Sequence, residues 1–323
     1  SLFVNQSSAV KRGILELAWN KPEIIPNDLI IDQIEKEDDV SPYAIICAND
    51  RKVKNIDLQI KSFMEHKNKP IQIASSVVIL NHDDSNHMAL SVIQNIIDKE
   101  TDSEILFFIS VVKTSPNLID EKIVTKFLFS ESKEIKNAIL IHLKYNPMIK
   151  YLDDIILLLK DPETKLNAQE ALLALPDIDI REKLYHIVTD KTENLHIRKS
   201  ILEIIHHFDS DDIIEIILSI MNDPELSILK KISTGLIKIS KIRSFQKIEL
   251  VKIDREIQSL AKRAFQLHIF YESLPPNMTS NLIKDHIKND LLILIPILLR
   301  LGTLKESKIP IETYIRYIES NDP

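Results

Sequence analysis

One pattern of residues returns about every 31 positions along this chain. The pattern, called the phrase below, is an apolar residue, a polar or basic residue, and then apolar or small residues three, six and seven places later. Its polar position falls at Lys11, Ser41, Gln72, Glu104, Lys136, Lys165, Arg198 and Leu229. Such a period is typical of arrays in which each helical pair packs on its neighbours. The phrase therefore predicts an all-α fold, an α-α superhelix of about eight short helical pairs.

Composition and turn residues agree with a helical array. The 323 residues include three glycines, which leaves little material for tight hairpins. An Asp-Pro-Glu sequence at residues 161–163 recurs at residues 223–225, each time just before a phrase. Asp favours the N-cap, Pro the first turn and Glu the positive end of a helix. We therefore expect both Asp residues to cap the helix that follows.

These features together resemble HEAT repeats, in a short form with two helices per unit. The likeness depends on the turn Asp, on a basic residue that opens the second helix, and on a small-apolar pair six and seven residues later. The basic residues are Lys136, Lys165 and Arg198, and the pairs are Ala171-Leu172 and Gly235-Leu236. The resemblance covers residues 1–240, which we expect to form the HEAT-like solenoid. Residues 241–323 are expected to continue it as an irregular helical region.

Longer helices are predicted where the period fails. Periodicity indicates one helix over residues 254–274, a second over 279–301 and the start of a further unit at 311–319. The apolar face of the first helix is Ile257, Leu260, Ala261, Ala264, Phe265 and Ile269. The longest apolar run, at residues 291–299, has nine residues and contains Pro296. It is too short to span a membrane and predicts a buried helix.

The order and length of elements over residues 230–323 resemble the cytosolic HEAT-repeat region of bacterial proteins that begin with an ATP/ADP-translocase-like major-facilitator transporter. The segments are GLIKISKIRSF, REIQSLAKRAFQLHIFYESL, NLIKDHIKNDLLILIPILLRLGTL and YIRYIESNDP. This resemblance implies a soluble regulatory or scaffolding module cut at both ends from a longer polypeptide. It implies a cytoplasmic location at the inner face of the membrane, with no membrane insertion of this segment. It implies no catalytic residues.

Charge and cysteine content restrict the partners that we expect. The formal net charge is −7, the wrong sign for a surface that must neutralise phosphates, so nucleic acid is not an expected partner. The single cysteine, Cys47, lies in an apolar stretch and is expected to be a small buried side chain in a reducing compartment. The expected partner is another protein or another domain of the same polypeptide.

Clusters of polar residues that suggest chemistry have simpler explanations. The two clusters with metal-binding residue types are His82, Asp83, Asp84 and His87, and His206, His207, Asp209, Asp211 and Asp212. Both are predicted in loops without Cys partners or an i, i+4 His pair, so we expect neither metal nor other cofactor. The repeated bases Lys136, Lys165 and Arg198 could bind an acidic partner. We instead expect each to pair with a turn Asp or Glu.

Two helices of the array are apolar nearly all round, in the third and fourth repeats. In the phrase register, six of their residues fall opposite the core face, where later repeats have Glu170, Lys199 and Glu203. The six are Ile73, Val77, Leu80, Ile105, Ile109 and Val112. We predict that they form an exposed partner-binding groove. Two alternatives remain open: the register is off by one residue, or the array closes enough to bury both faces.

Two classes of function remain at this point. The first is a non-catalytic interaction scaffold or regulatory module. The second is a HEAT-like ligand-sensing or nucleic-acid-modifying enzyme domain, which would use aromatic and acidic residues on a basic surface. An apolar or acidic surface on the phrase helices would favour the scaffold, and a basic one the enzyme.

Overall fold

The structure is a computed structural model that describes residues 3–18, 21, 24–54, 56–99, 101–112, 116–208, 212–221, 223–276 and 278–304. These residues form seventeen α-helices and no strand, which confirms the all-α prediction. The helices are α1 (Ser8–Ala18), α2 (Asn27–Glu35), α3 (Ser41–Asp50), α4 (Asp57–Ser62), α5 (Lys69–His82), α6 (His87–Lys99), α7 (Asp102–Val111), α8 (Glu121–Leu128), α9 (Lys133–Tyr145), α10 (Leu152–Leu158), α11 (Lys165–Ala174), α12 (Asp177–Thr189), α13 (Leu195–Ile204), α14 (Asp212–Ser219), α15 (Leu226–Ile242), α16 (Lys247–Ser273) and α17 (Met278–Gly302).

The eight phrases lie in the eight odd-numbered helices from α1 to α15, which we call the phrase helices. Each even-numbered helix from α2 to α14 contacts the phrase helix that follows it. The phrase helices also pack on one another in order, α1 on α3, α3 on α5, α5 on α7 and α7 on α9, and likewise α11 on α13 and α13 on α15. The apolar spacing therefore identified residues that lie in helices, and these helices pack on one another.

The chain divides into two compact units, Ser1–Asn146 with α1 to α9 and Pro147–Pro323 with α10 to α17. The expected change of organisation near residue 240 falls inside the second unit. There α14 packs against α16, and α15 against α17. The paired helices and the long helices of the second unit therefore share one core.

The two Asp-Pro-Glu sequences close turns and do not cap helices. Asp161 Oδ1 accepts from the backbone N–H of Glu163 and Asp223 Oδ1 from that of Glu225, both at 2.9 Å. Helices α11 and α15 begin only after their N-cap residues, Thr164 and Glu225. The expectation of an Asp N-cap is wrong, because each Asp satisfies the N–H group two residues on before helical geometry begins.

The long helices occur where they are predicted. Helix α16 starts seven residues earlier than expected, at Lys247, where Gln246 and Glu249 form a capping box. Helix α17 matches the expected bounds closely, and residues 311–319 lie outside the described residues. The predicted apolar face of α16 is only partly covered, since Leu260 is buried whereas Phe265 and Ile269 are exposed.

The apolar run at residues 291–299 is also less buried than expected. Leu294 and Ile297 are buried inside α17, but Ile295 is exposed. One side of this helix faces the core of the second unit and the other does not.

Candidate interaction surfaces

The predicted groove on α5 and α7 is closed. Its six residues are all buried, with no more than 8% of any one exposed. They are Ile73, Val77, Leu80, Ile105, Ile109 and Val112. The prediction that they are exposed is wrong, and we do not propose them as partner-binding residues.

Neighbouring phrase helices cover the outer side of α5. Helix α5 packs against both α3 and α7, and the rings of Tyr43 on α3 and Phe107 on α7 meet edge to face with centroids 5.5 Å apart. Ser75 and Ser76 on α5 are completely buried, and their small side chains let the flanking helices approach. The helices close tightly enough to bury both faces, so the all-round apolar sequence of α5 is core.

One small cavity remains between α7 and α9. Its volume is about 150 Å³, and its lining is Leu106, Ile109, Ser110, Ala138, Ile141 and His142. His142 is only 2% exposed, and neither ring nitrogen has a hydrogen-bond partner. Burial lowers the pKa of His142, so the imidazole is neutral at pH 7.

A wider cleft of about 940 Å³ in the first unit has a desolvated carboxyl group in its lining. Burial raises the pKa of Asp50 to about 6, which a hydrogen bond from the Asn49 amide only partly offsets. Asp84 and Asp120 line the same cleft. The charged form of Asp50 is therefore disfavoured in the folded protein.

The outer side of the phrase helices in the second unit is charged. Glu203 on α13 accepts hydrogen bonds from Lys165 and Gln169 on α11, at 2.8 and 2.9 Å, and from Lys231 on α15. Burial alone would raise the pKa of Glu203, but these hydrogen bonds outweigh it and lower the pKa to about 2. One carboxylate thus joins three consecutive phrase helices.

A buried ion pair joins α13 to the turn before α15. Arg198 Nη2 donates to Asp223 Oδ2 at 2.6 Å, and the two side chains are 3% and 1% exposed. The same guanidinium donates from Nε and Nη2 to the carbonyl oxygen of Val188, at 3.1 and 2.9 Å. The expected pairing of Arg198 with a turn Asp is confirmed. Lys165 also pairs with an acid, but the acid is Glu203 within a helix.

An excess of lysine surrounds a cleft of about 360 Å³ on α11, α13 and α15. The lining, which we call the lysine cleft, is Gln169, Leu202, Glu203, Ile204, Lys230, Lys231, Thr234, Gly235 and Lys238. Helix α15 contains four lysines and no Asp or Glu. Burial, together with the charge of Lys238 and of His207, lowers the pKa of His206 to about 4. The lining thus has three lysines and one glutamate, in a chain of net charge −7.

Sequence reasoning missed the lysine cleft, although the signal was present. The sequence of α15, LSILKKISTGLIKISKI, has lysines on several turns and no Asp or Glu in the same helix. Two of the three bases that recur at the phrase position are instead paired with acids, Lys165 with Glu203 and Arg198 with Asp223.

The two clusters of His and Asp side chains have structural roles where they are described. His82 Nε2 contacts Asn49 Oδ1 at 2.9 Å, and Asp83 Oδ1 accepts from the Ser85 hydroxyl at 2.7 Å in the loop after α5. The His206 and His207 rings lie 4.0 Å apart. Asp209 and Asp211 lie outside the described residues. Within those residues, no three His, Cys, Asp or Glu side chains are grouped to hold a metal ion.

The single cysteine is buried, as expected from its apolar surroundings. Cys47 is fully covered within α3, and burial raises the pKa of its thiol to about 11. It therefore carries a proton at neutral pH.

Comparisons of the chain with protein-family models, with curated proteins and with solved structures found no match. Among the described helices, none combines the length and the apolar composition needed to cross a membrane.

Proposed function

We propose that this protein is a non-catalytic interaction scaffold or regulatory module, whose second unit binds an acidic segment of another protein or of another domain of the same polypeptide. The lysine cleft is the observation that carries this proposal. Lys230 and Lys238 in its lining are exposed, and Lys231 pairs with Glu203. Exposed cations in an otherwise acidic chain favour approach of a negatively charged partner in one orientation.

The packing of the phrase helices supports a HEAT-like superhelix as the scaffold. Within each unit, neighbouring phrase helices pack side by side in chain order, an arrangement that in helical arrays suits an extended partner segment. We extend the proposal to the setting that the resemblance implies. The chain would be the soluble cytoplasmic part of a larger transporter-like membrane protein, held at the inner face of the membrane by an N-terminal membrane domain.

Charge reversal in the cleft tests the acidic partner. We expect the double variant Lys230→Glu/Lys238→Glu to bind a fluorescent ten-residue polyglutamate peptide at least about tenfold more weakly than the unmodified protein. Lys241→Glu is the matched control, because Lys241 is exposed on the same helix but does not line the cleft. Fluorescence anisotropy at two salt concentrations measures both. Equal weakening by the control would contradict binding in the cleft.

A basic surface on the phrase helices is also the feature expected of the second class, a nucleic-acid-modifying enzyme domain, which therefore stays as the second candidate. A basic cleft suits phosphates, but none of the residues that line this cleft is aromatic, and proteins that bind single strands rely on aromatic stacking platforms. We therefore expect no binding of a single-stranded or duplex 20-mer at physiological salt. Submicromolar, salt-sensitive binding in a gel-shift assay would replace the acidic-protein proposal with this one.

A further inference from the structure

We propose that Glu203 is an internal competitor of the acidic partner, because its carboxylate already binds two ammonium groups that the partner would otherwise bind. This inference rests on the proposed function, since it concerns the same lysine cleft and the same acidic partner. It adds an autoinhibitory contact to the cleft, and it adds Lys165 on α11 to the surface that the partner binds.

Three donors from two helices converge on the Glu203 carboxylate. On α11, Lys165 Nζ and Gln169 Nε2 donate to Oε2 at 2.8 and 2.9 Å, and on α15, Lys231 Nζ donates to Oε1. Two of these three hydrogen bonds are charge-assisted, which makes them stronger than bonds between neutral groups. Donors that hold one carboxylate in this way can hold another of the same charge and shape. They therefore form an anion site, in which Glu203 is the anion.

This anion site is accessible to solvent. The side chains of Lys165 and Lys231 are 35% and 36% exposed, and that of Glu203 is 24% exposed. The ion pair of Arg198 with Asp223 differs, because its side chains are only 3% and 1% exposed. Water competes with each partner of an ion pair at the surface, so such a pair can exchange one carboxylate for another. Exchange is therefore open to Glu203 and closed to Asp223.

Glu203 also sets the charge of the lysine cleft. It is the one acidic residue in the lining, and its three donors hold its pKa at about 2, so it is charged at neutral pH. The carboxylate offsets the charges of Lys231 in the lining and of Lys165 on the neighbouring helix. An acidic partner therefore meets mainly Lys230 and Lys238, which are exposed. Removal of the Glu203 charge would release two further cations to this partner.

Neutralisation of Glu203 provides the first test. We expect Glu203→Gln to bind the polyglutamate peptide about tenfold more tightly than the unmodified protein, the combined value of two partly exposed ion pairs. Glu182→Gln is the matched control, because it makes the same charge change at an exposed position of α12 that does not line the cleft. Its affinity should change by less than about twofold. Equal affinities of Glu203→Gln and Glu182→Gln in fluorescence anisotropy would overturn the proposal.

Two lysines distinguish the release of Lys165 from a general effect of charge. Lys165 donates to Glu203, whereas Lys199 lies one turn before Glu203 on α13 and is not among its donors. In the Glu203→Gln background, Lys165→Ala should return the affinity to within about twofold of the unmodified protein. Lys199→Ala removes the same charge and should keep most of the gain. Equal losses from the two substitutions would show that charge alone, and not the release of Lys165, causes the gain.

A shorter acid tests the same contact without a change of net charge. Glu203→Asp keeps the carboxylate but removes one methylene, so the carboxylate no longer reaches donors on both α11 and α15. We expect it to bind the peptide about threefold more tightly than the unmodified protein. This variant also replaces Glu203→Gln if the latter proves unfolded by circular dichroism. An unchanged affinity of folded Glu203→Asp would contradict the internal competitor.

Failure of the proposed function and failure of this inference give different results. Binding of polyglutamate by the unmodified protein, with no gain in Glu203→Gln, would overturn the internal competitor alone. No binding by either protein would overturn both proposals. Binding by Glu203→Gln and not by the unmodified protein would support the internal competitor and would contradict the proposed function of the unmodified protein.

Discussion

The two units contain the same phrase but differ on the outer side of their phrase helices. One and five places after the polar position, α7 has Ile105 and Ile109, whereas α13 has Lys199 and Glu203. In α7 these two residues are buried between helices, and in α13 Glu203 joins three helices through hydrogen bonds. The same spacing of core residues is therefore compatible with a buried apolar outer side, as in α7, or with a charged outer side, as in α13.

This difference indicates which unit exposes a candidate binding surface. The apolar outer side of α5 and α7 is satisfied by its own neighbours, because Tyr43 and Phe107 meet across it. The outer side of α13 and α15 has more lysines than acids, and Lys230 and Lys238 are exposed there. A continuous apolar sequence is thus a poor guide to a binding groove, since tighter packing can bury it.

Removing one member of the buried ion pair should give the largest effect. Asp223→Ala leaves the Arg198 guanidinium charged and without its carboxylate in the interior of the second unit. We expect unfolding free energy, measured in urea, to fall by about 3 to 5 kcal/mol. The double variant Arg198→Met/Asp223→Ala should lose less than Asp223→Ala alone. A loss below about 1 kcal/mol for Asp223→Ala alone would show that the buried ion pair contributes little to stability.

Polar substitution of buried residues on α7 should lower the free energy of unfolding by nearly as much. Ile105→Asn and Ile109→Asn each remove buried apolar surface and bury an amide, so we expect a loss of about 2 to 4 kcal/mol for each. Leu166→Asn is the matched control, because Leu166 occupies the same phrase position as Ile105 in the second unit and is 65% exposed. Its melting temperature should remain close to that of the unmodified protein. Similar losses of stability for Ile105→Asn, Ile109→Asn and Leu166→Asn would contradict the difference between the two units.

Two carboxyl groups should give opposite pH dependences in the two units. The pKa of Glu203 is lowered to about 2, so its stabilisation is present above the unfolded value of 4.5 and is lost as pH falls towards 2. The pKa of Asp50 is raised from 3.8 to about 6, so its destabilisation is absent below 3.8 and complete above 6.

At pH 7, Glu203→Gln should therefore lose about 1 to 3 kcal/mol and Asp50→Asn should gain about 1 to 2 kcal/mol. Urea unfolding between pH 3 and 8 measures the stability difference of each variant from the unmodified protein. The stability difference between Asp50→Asn and the unmodified protein should vanish below about pH 4. The stability difference for Glu203→Gln should begin to shrink only below that pH. A stabilising Glu203→Gln would contradict the carboxylate as the link between α11, α13 and α15.

The smallest expected effect concerns the backbone. Among the described residues, the two non-glycine residues with positive φ are Glu37 and Lys52, both in the first unit. Lys52 has φ of 52° just after α3, where glycine is the usual residue. Lys52→Gly should therefore raise stability by about 0.5 to 1 kcal/mol. The matched substitution Lys54→Gly, two residues on, should not stabilise the protein.

Periodicity identified the helices well because it records which side chains must be buried. All eight phrase residues lie in phrase helices, and the bounds of α17 were close to those expected. The start of α16 was less well predicted, because the capping box at Gln246 and Glu249 lies outside the apolar pattern. The turn residue Asp161 was identified, but its hydrogen bond closes a turn and does not cap a helix.

The candidate sites were much harder to predict. The six residues of the predicted groove were expected to be exposed, but they are buried, because neighbouring phrase helices pack closely on α5 and α7. The small cavity between α7 and α9 likewise depends on how closely two helices approach. No pattern within one helix records such a distance.

The sequence by itself determined that the chain is helical and where most of its helices lie. These properties depend on interactions within one or two turns, which the order of residues records directly. Tertiary structure alone decided that the apolar side of α5 is closed, that Arg198 finds Asp223, and that lysines of α15 gather around one cleft. Those outcomes depend on how closely helices approach, and small shifts between packed helices change burial, dielectric environment and charge pairing at once.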